Sequence, residues 1–145
     1  MSVPKWDHII IHHSLTKDNQ TVSWDAIRKY HTETMGWADI GYHFGCELLP
    51  DGKYHILTGR PMNREGAHCK EEGMNKKALG FCFIGNYDEA PPPTEMLMKA
   101  APYLIGLMSI FQIIPANVRG HRDYATYKSC PGRAFDMSVL RDLLR

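Results

Sequence analysis

Asp7-His8-Ile9-Ile10-Ile11-His12-His13 sets consecutive isoleucines ahead of a polar run, Ser14 to Gln20. Short, β-branched and uninterrupted, it predicts a buried strand over residues 7–13. A second run of the same kind, Ala78-Leu79-Gly80-Phe81-Cys82-Phe83-Ile84-Gly85, predicts a central strand. Between them, Ser23 is placed to cap a helix reaching about Thr34. Trp24, Ile27, Tyr30 and His31 recur there at spacings of three and four, and Gly36 closes the segment. Phe44 to Leu49 and Tyr54 to Thr58 flank Pro50-Asp51-Gly52, whose residues suit a hairpin turn.

The second half continues the alternation. Asp88-Glu89-Ala90-Pro91-Pro92-Pro93 reads as a loop, and Thr94 begins a long helix to about Gln112. Pro102 lies inside that pattern, so a kink or break is expected there. Asn117 to His121 reads as a short strand, and Phe135 to Leu144 as a closing amphipathic helix. The succession predicts an α/β fold: one domain over residues 1–145, with a central mixed sheet flanked by about three helices. Strand order does not follow from the pattern.

Composition narrows the function. The 145 residues are 43% hydrophobic and 23% charged, with 17 Lys+Arg against 16 Asp+Glu and a net charge of +1. That balance gives no electrostatic footprint for sequence-independent nucleic-acid binding, and no nucleic-acid partner is expected. Tyr103 to Ile114, interrupted by Ser109 and Gln112 and bounded by Pro102 and Pro115, is too short to span a bilayer. The opening MSVPKWDHIIIHH lacks a basic start, an apolar core and a small-residue cleavage site, so synthesis without a leader is expected. The 4 cysteines, at 46, 69, 82 and 130, form no C-x-x-C pair, which argues against a disulfide framework.

Chemistry concentrates at predicted strand ends. His12 and His13 end the first strand, and alternation turns one of them into a buried face or cleft and the other away. His121 ends the last strand, with Cys130 in the loop beyond it. Two imidazoles and a thiolate are a sound three-ligand zinc set with a fourth position open to water. Scattered His and Cys are more often ordinary buried residues, and spacing this loose leaves both readings open. Tyr42 and Lys128 read the same two ways: a packed phenol and a solvated lysine, or groups beside a metal. His68 and Asn75 are candidate ligand-binding polar groups or loop residues satisfying local backbone. Cys46 and Cys82 fall on predicted strands and read as core, and Cys69 as a loop thiol. Trp6, Trp24 and Trp37 read as core anchors or a sugar-binding face.

Taken in order, these pieces form a pattern. Ile9-Ile10-Ile11-His12-His13-Ser14, Ile27-Arg28-Lys29-Tyr30-His31 and Gly36-Trp37-Ala38-Asp39-Ile40-Gly41-Tyr42-His43-Phe44 come first. Gly66-Ala67-His68, Gly73-Met74-Asn75, Leu79-Gly80 through Gly85-Asn86, Arg119-Gly120-His121-Arg122-Asp123 and Lys128-Ser129-Cys130-Pro131-Gly132 follow. The set closely resembles the zinc-dependent N-acetylmuramoyl-L-alanine amidases, above all the bacteriophage amidase-type lysozymes (endolysins) and the related peptidoglycan recognition proteins.

The resemblance implies one catalytic zinc (Zn2+) held by His12, His121 and Cys130. It implies Tyr42 and Lys128 as catalytic groups beside it, and His68 and Asn75 on the wall of a substrate groove. Asp123 and the backbone near His31 are implied supports for the ligating imidazoles. The implied substrate is peptidoglycan or its muropeptides, cut between N-acetylmuramic acid and L-alanine by a monomer that lyses a host wall after release. A cytosolic muropeptide-recycling amidase and a non-catalytic peptidoglycan-binding module are the alternatives. One departure stands out: the segment from His121 to Cys130 is one residue longer than the family pattern, around Tyr124 to Tyr127.

Overall fold

The computed structural model describes residues 4–15 and 23–145, so most of the polar run after the first strand lies outside the described residues. Among the described residues five strands form one sheet: β1 (His8–His13), β2 (Phe44–Leu48), β3 (Tyr54–Thr58), β4 (Ala78–Phe83) and β5 (Val118–Gly120). Their order is β3-β2-β4-β1-β5, with β1 parallel to both β4 and β5, β2 parallel to β4, and only β2–β3 antiparallel. β2, β4 and β1 are the interior strands; all of β4 and the Ile9, Ile10 and Ile11 run of β1 are buried, because a strand covered on both faces has no side for polar residues.

Side chains alternate across this sheet, and that alternation sorts the histidines. Ile9 and Ile11 of β1, with Leu79, Phe81 and Phe83 of β4, face the main core. That core is closed by α2 (Thr94–Phe111) through Met96, Ala100 and Leu104, and by α3 (Met137–Leu143) through Leu140. Ile10 faces the other way, as does Cys82, which packs with Trp24, Ile27 and Ile40. His12 follows Ile10 by two residues and shares its face; His13 follows Ile11 and lies against Tyr87 on the core side.

Local chemistry sets the helix ends. Ser23 caps α1 (Trp24–Lys29) by accepting from the Ala26 amide at 3.1 Å, and a π-helical turn, Tyr30–Thr34, extends it to the expected end. The buried Glu47 carboxylate accepts from the Trp24 amide at 3.0 Å, fastening the same helix to β2. At Gly45 a Cβ would collide with the Trp24 ring, so glycine is what lets α1 sit this close to the sheet.

Three expectations are corrected. Pro102 does not break α2, which runs unbroken through it; Pro102 and Met98 lie on the exposed side, where water can serve a carbonyl that lost its partner. The last strand is shorter than 117–121: Asn117 ends a 3-10 turn, and His121–Asp123 forms another, closed by the Asp123 carboxylate on the Gly120 amide at 3.2 Å. The last helix starts at Met137 because Asp136 caps it through the Ser138 amide at 2.9 Å, leaving Phe135 to fill the core. A 3-10 segment at Glu71–Lys76 had no signal in the sequence, where Glu72 and Gly73 take positive φ of 55 and 70°.

Candidate metal centre and its groove

His12 is buried at the carboxyl end of β1, and its two nitrogens have different partners. Nε2 lies 2.9 Å from Nδ1 of His68, whose own Nε2 lies 3.0 Å from the Ala78 carbonyl. A carbonyl only accepts, so His68 carries its proton on Nε2 and offers a lone pair at Nδ1. His12 must then donate from Nε2, which leaves a lone pair on Nδ1, the atom that faces Cys130 Sγ at 3.7 Å. Burial drives both rings neutral: it pulls His68 down to about 3, and it holds His12 well below the usual imidazole range, with help from His68 and His121. Gly80 makes room for this arrangement, since a Cβ there would sit 2.7 Å from the His68 ring.

His121 arrives from the turn after β5, its ring centroid 4.6 Å from that of His12. Its Nε2 is buried without a hydrogen-bond partner among the described residues, and Glu71 Oε1 stands 3.6 Å away. An anionic carboxylate on that side favours the proton on Nε2 and leaves Nδ1 as the ring's lone-pair donor. Burial lowers its pKa first, and Lys128 adds to the effect.

Cys130 completes the group. The ligand atoms of His12, His121 and Cys130 all lie within 4.8 Å of one another. Without a cation, burial pushes the Cys130 thiol up to about 12, countered in part by the His13 amide, which donates to Sγ at 3.4 Å. Two neutral imidazoles with converging lone pairs and a thiol that only a cation would ionise are a donor set that fits zinc. The cysteine loop is well held. Arg122 donates to Gly132 O at 2.5 Å and to Phe135 O at 2.8 Å, and its amide donates to Cys130 O at 2.8 Å. Asp88 accepts from Ser129 Oγ at 3.1 Å and from the Arg133 amide at 2.8 Å.

These residues open onto a groove of about 500 Å³ that Tyr42, Lys128, His31 and Trp37 also line. Tyr42 lies beside His12, ring centroids 5.1 Å apart, and burial raises its phenol well above the ordinary value, so it is a neutral donor. Lys128 lines the groove, and the segment leading to it is held by local bonds: Ala125 N donates to His121 O and Lys128 N to Ala125 O, each at 2.9 Å. His31 accepts the Gly41 amide on Nδ1 at 3.0 Å, which places its proton on Nε2.

The structure redistributes the supporting roles. His68 lines the groove, yet its ring is spent on orienting His12. Asn75 lines an adjoining groove of about 250 Å³, and its Oδ1 accepts the amides of His68 and Cys69, each at 2.8 Å. Asp123 holds the Gly120 amide rather than an imidazole, and His31, its ring centroid 5.9 Å from that of Tyr42, lines the groove. Trp6 and Trp24 are core residues, while Trp37 lines the groove. Glu71 escaped the sequence reading: in Lys70-Glu71-Glu72 it looks like solvated charge, and nothing ties it to a histidine so distant in the chain.

Residues 2–133 match the family N-acetylmuramoyl-L-alanine amidase. Peptidoglycan-recognition protein SC2 of Drosophila melanogaster is 32% identical over 131 residues, 86% of this chain and 67% of that protein. The endolysin of Escherichia phage T7 is 33% identical over 137 residues, 90% of this chain and 82% of that one. Among solved structures, the N-acetylmuramoyl-L-alanine amidase LysC from Clostridium intestinale URNW superposes with a TM-score of 0.79 at 27% identity, covering 97% of this chain and 85% of its own.

Proposed function

This chain belongs to the N-acetylmuramoyl-L-alanine amidase family, and from that premise we propose that it cleaves the amide joining N-acetylmuramic acid to L-alanine in peptidoglycan. The supporting observation is the His12–His121–Cys130 cluster opening on a groove that Tyr42 and Lys128 line. Endolysins of phages T7 and T3 are among the relatives, each covered over four-fifths of its length, which supports action on a host wall. The catalytic domain spans residues 1–145. Among the described residues no helix is long and apolar enough to cross a membrane.

His12, His121 and Cys130 would hold one zinc ion, which when bound supplies a Lewis acid and a water of lowered pKa. The remaining work falls to side chains. His68 fixes the His12 ring through the 2.9 Å bond and so keeps one nitrogen lone pair in place. Lys128 brings a positive charge to the groove wall, where it stabilises the oxyanion that develops on the scissile carbonyl. Tyr42 stays protonated and is the donor positioned to orient the carbonyl or to hand a proton toward the departing amine of L-alanine.

The decisive experiment is mass spectrometry of purified peptidoglycan after digestion, with and without a zinc chelator. Free lactyl ends on muramic acid paired with new L-alanine amino termini, lost on chelation and restored by zinc, are expected. Intact glycan–peptide linkages from a zinc-loaded, folded protein would overturn the reading and leave a binding module.

A further inference from the structure

We propose that Cys69, Glu71 and His121 form a second metal site, sharing His121 with the first, that takes a thiophilic divalent cation such as zinc or cadmium when the ion is in excess. The proposal rests on the assignment of His12, His121 and Cys130 to the catalytic ion. It starts from the buried Nε2 of His121, which has no hydrogen-bond partner among the described residues and lies 3.6 Å from Glu71 Oε1. Cys69 Sγ is 4.0 Å from the same Oε1, and the three ligand atoms all fall within 4.8 Å of one another.

Metal bonds of about 2.0–2.3 Å in a tetrahedron separate neighbouring ligand atoms by roughly 3.3–3.8 Å. The trio needs only small side-chain adjustments to close on an ion. One sulfur, one carboxylate oxygen and one imidazole nitrogen are a set that suits zinc and discriminates against magnesium or calcium. Tyr127 donates to Glu71 Oε2 at 3.1 Å, which fixes the carboxylate and leaves Oε1 for the ion. Access exists as well, because Cys69, Glu71 and His121 line the adjoining groove with Trp37 and Lys128.

Binding displaces two protons to solvent, the thiol proton of Cys69 and the Nε2 proton of His121. His121 then bridges two cations as an imidazolate. The second ion stands in the groove that the substrate occupies and competes for the electron density of a ligand of the first. Excess zinc therefore inhibits, and the inhibition belongs to Cys69 and Glu71.

The test is native mass spectrometry of the whole protein titrated with zinc, paired with the ultraviolet thiolate-to-metal absorption on cadmium addition. Two ions per chain are expected, with a second increment of thiolate absorption at the second equivalent. Cys69→Ala and Glu71→Gln should each stop at one ion, and Cys69→Ala should lack the second increment. Cys130→Ala should also stop at one ion, now held by the Cys69 trio. One ion at every zinc concentration in the unmodified chain, or a second ion that survives Cys69→Ala combined with Glu71→Gln, overturns the proposal. A Cys130→Ala protein that binds the same ions as the unmodified chain instead overturns the assignment of the first site.

Discussion

His68 and His12 meet at 2.9 Å between Nδ1 and Nε2, and the Ala78 carbonyl beyond them decides which nitrogen of His12 is free. A backbone acceptor at one end of two rings thus sets the tautomer at the other. The lone pair that His12 turns toward Cys130 depends on a residue that the family resemblance assigns only to a groove wall.

His68→Ala should therefore weaken zinc binding about 10–100-fold, as expected when the partner of a ligating histidine is removed. Gly80→Ala should act in the same direction by pushing the His68 ring away. Competition with a chromophoric chelator measures both; unchanged affinity in both variants would mean that the ring pair is incidental.

Tyr42→Phe should keep the zinc and the fold while kcat falls roughly 10²–10⁴-fold, the usual contribution of a positioned acid or base. Lys128→Ala should likewise retain zinc and lose rate. Metal content and turnover on muropeptide, measured on one preparation, separate these roles from ligation; loss of zinc in Tyr42→Phe would contradict the assignment.

Stability of the metal-free protein should decline with acid. His68 titrates near 6.5 when unfolded and is pulled down to about 3 by burial in the fold, with His12 shifted the same way. Below 6.5 the unfolded chain takes up protons that the native state refuses, so the histidines' contribution is full above that pH and is lost as pH falls. His68 should cost about 1.4 kcal/mol per pH unit between 6.5 and 3, and His12 adds in the same direction. Urea melts of the chelated protein at stepped pH give the slope, which His68→Asn should make shallower.

Leu104→Ala removes a fully buried side chain where α2 meets the sheet, remote from the groove, and should destabilise by about 2–5 kcal/mol. Activity per folded molecule should be unchanged. A specific activity that dropped with stability would link the α2 core to the site.

Much was readable along the chain. The uninterrupted apolar runs of β1 and β4 announced interior strands, because a strand covered on both faces has nowhere to put polar side chains. Ser23 and the Pro50-Asp51-Gly52 turn marked their elements through local hydrogen bonding and φ preference, which need no tertiary context. His12, His121, Cys130, Tyr42 and Lys128 stand out in the sequence as candidates, and the fold brings all five to one groove.

What the chain alone determined is the five strands and three α-helices of the described residues and most of the reactive groups, since these follow from local periodicity and side-chain chemistry. Tertiary structure decided the rest. Strand order placed β1 between β4 and β5, and parity along β1 turned the His12 ring toward His121 and the His13 ring toward Tyr87. Folding carried Glu71 to within 3.6 Å of His121 and set Gly80 beneath His68. Such pairings join residues far apart in sequence, and the forces that select them are packing and burial summed over the whole core. No local pattern encodes that sum.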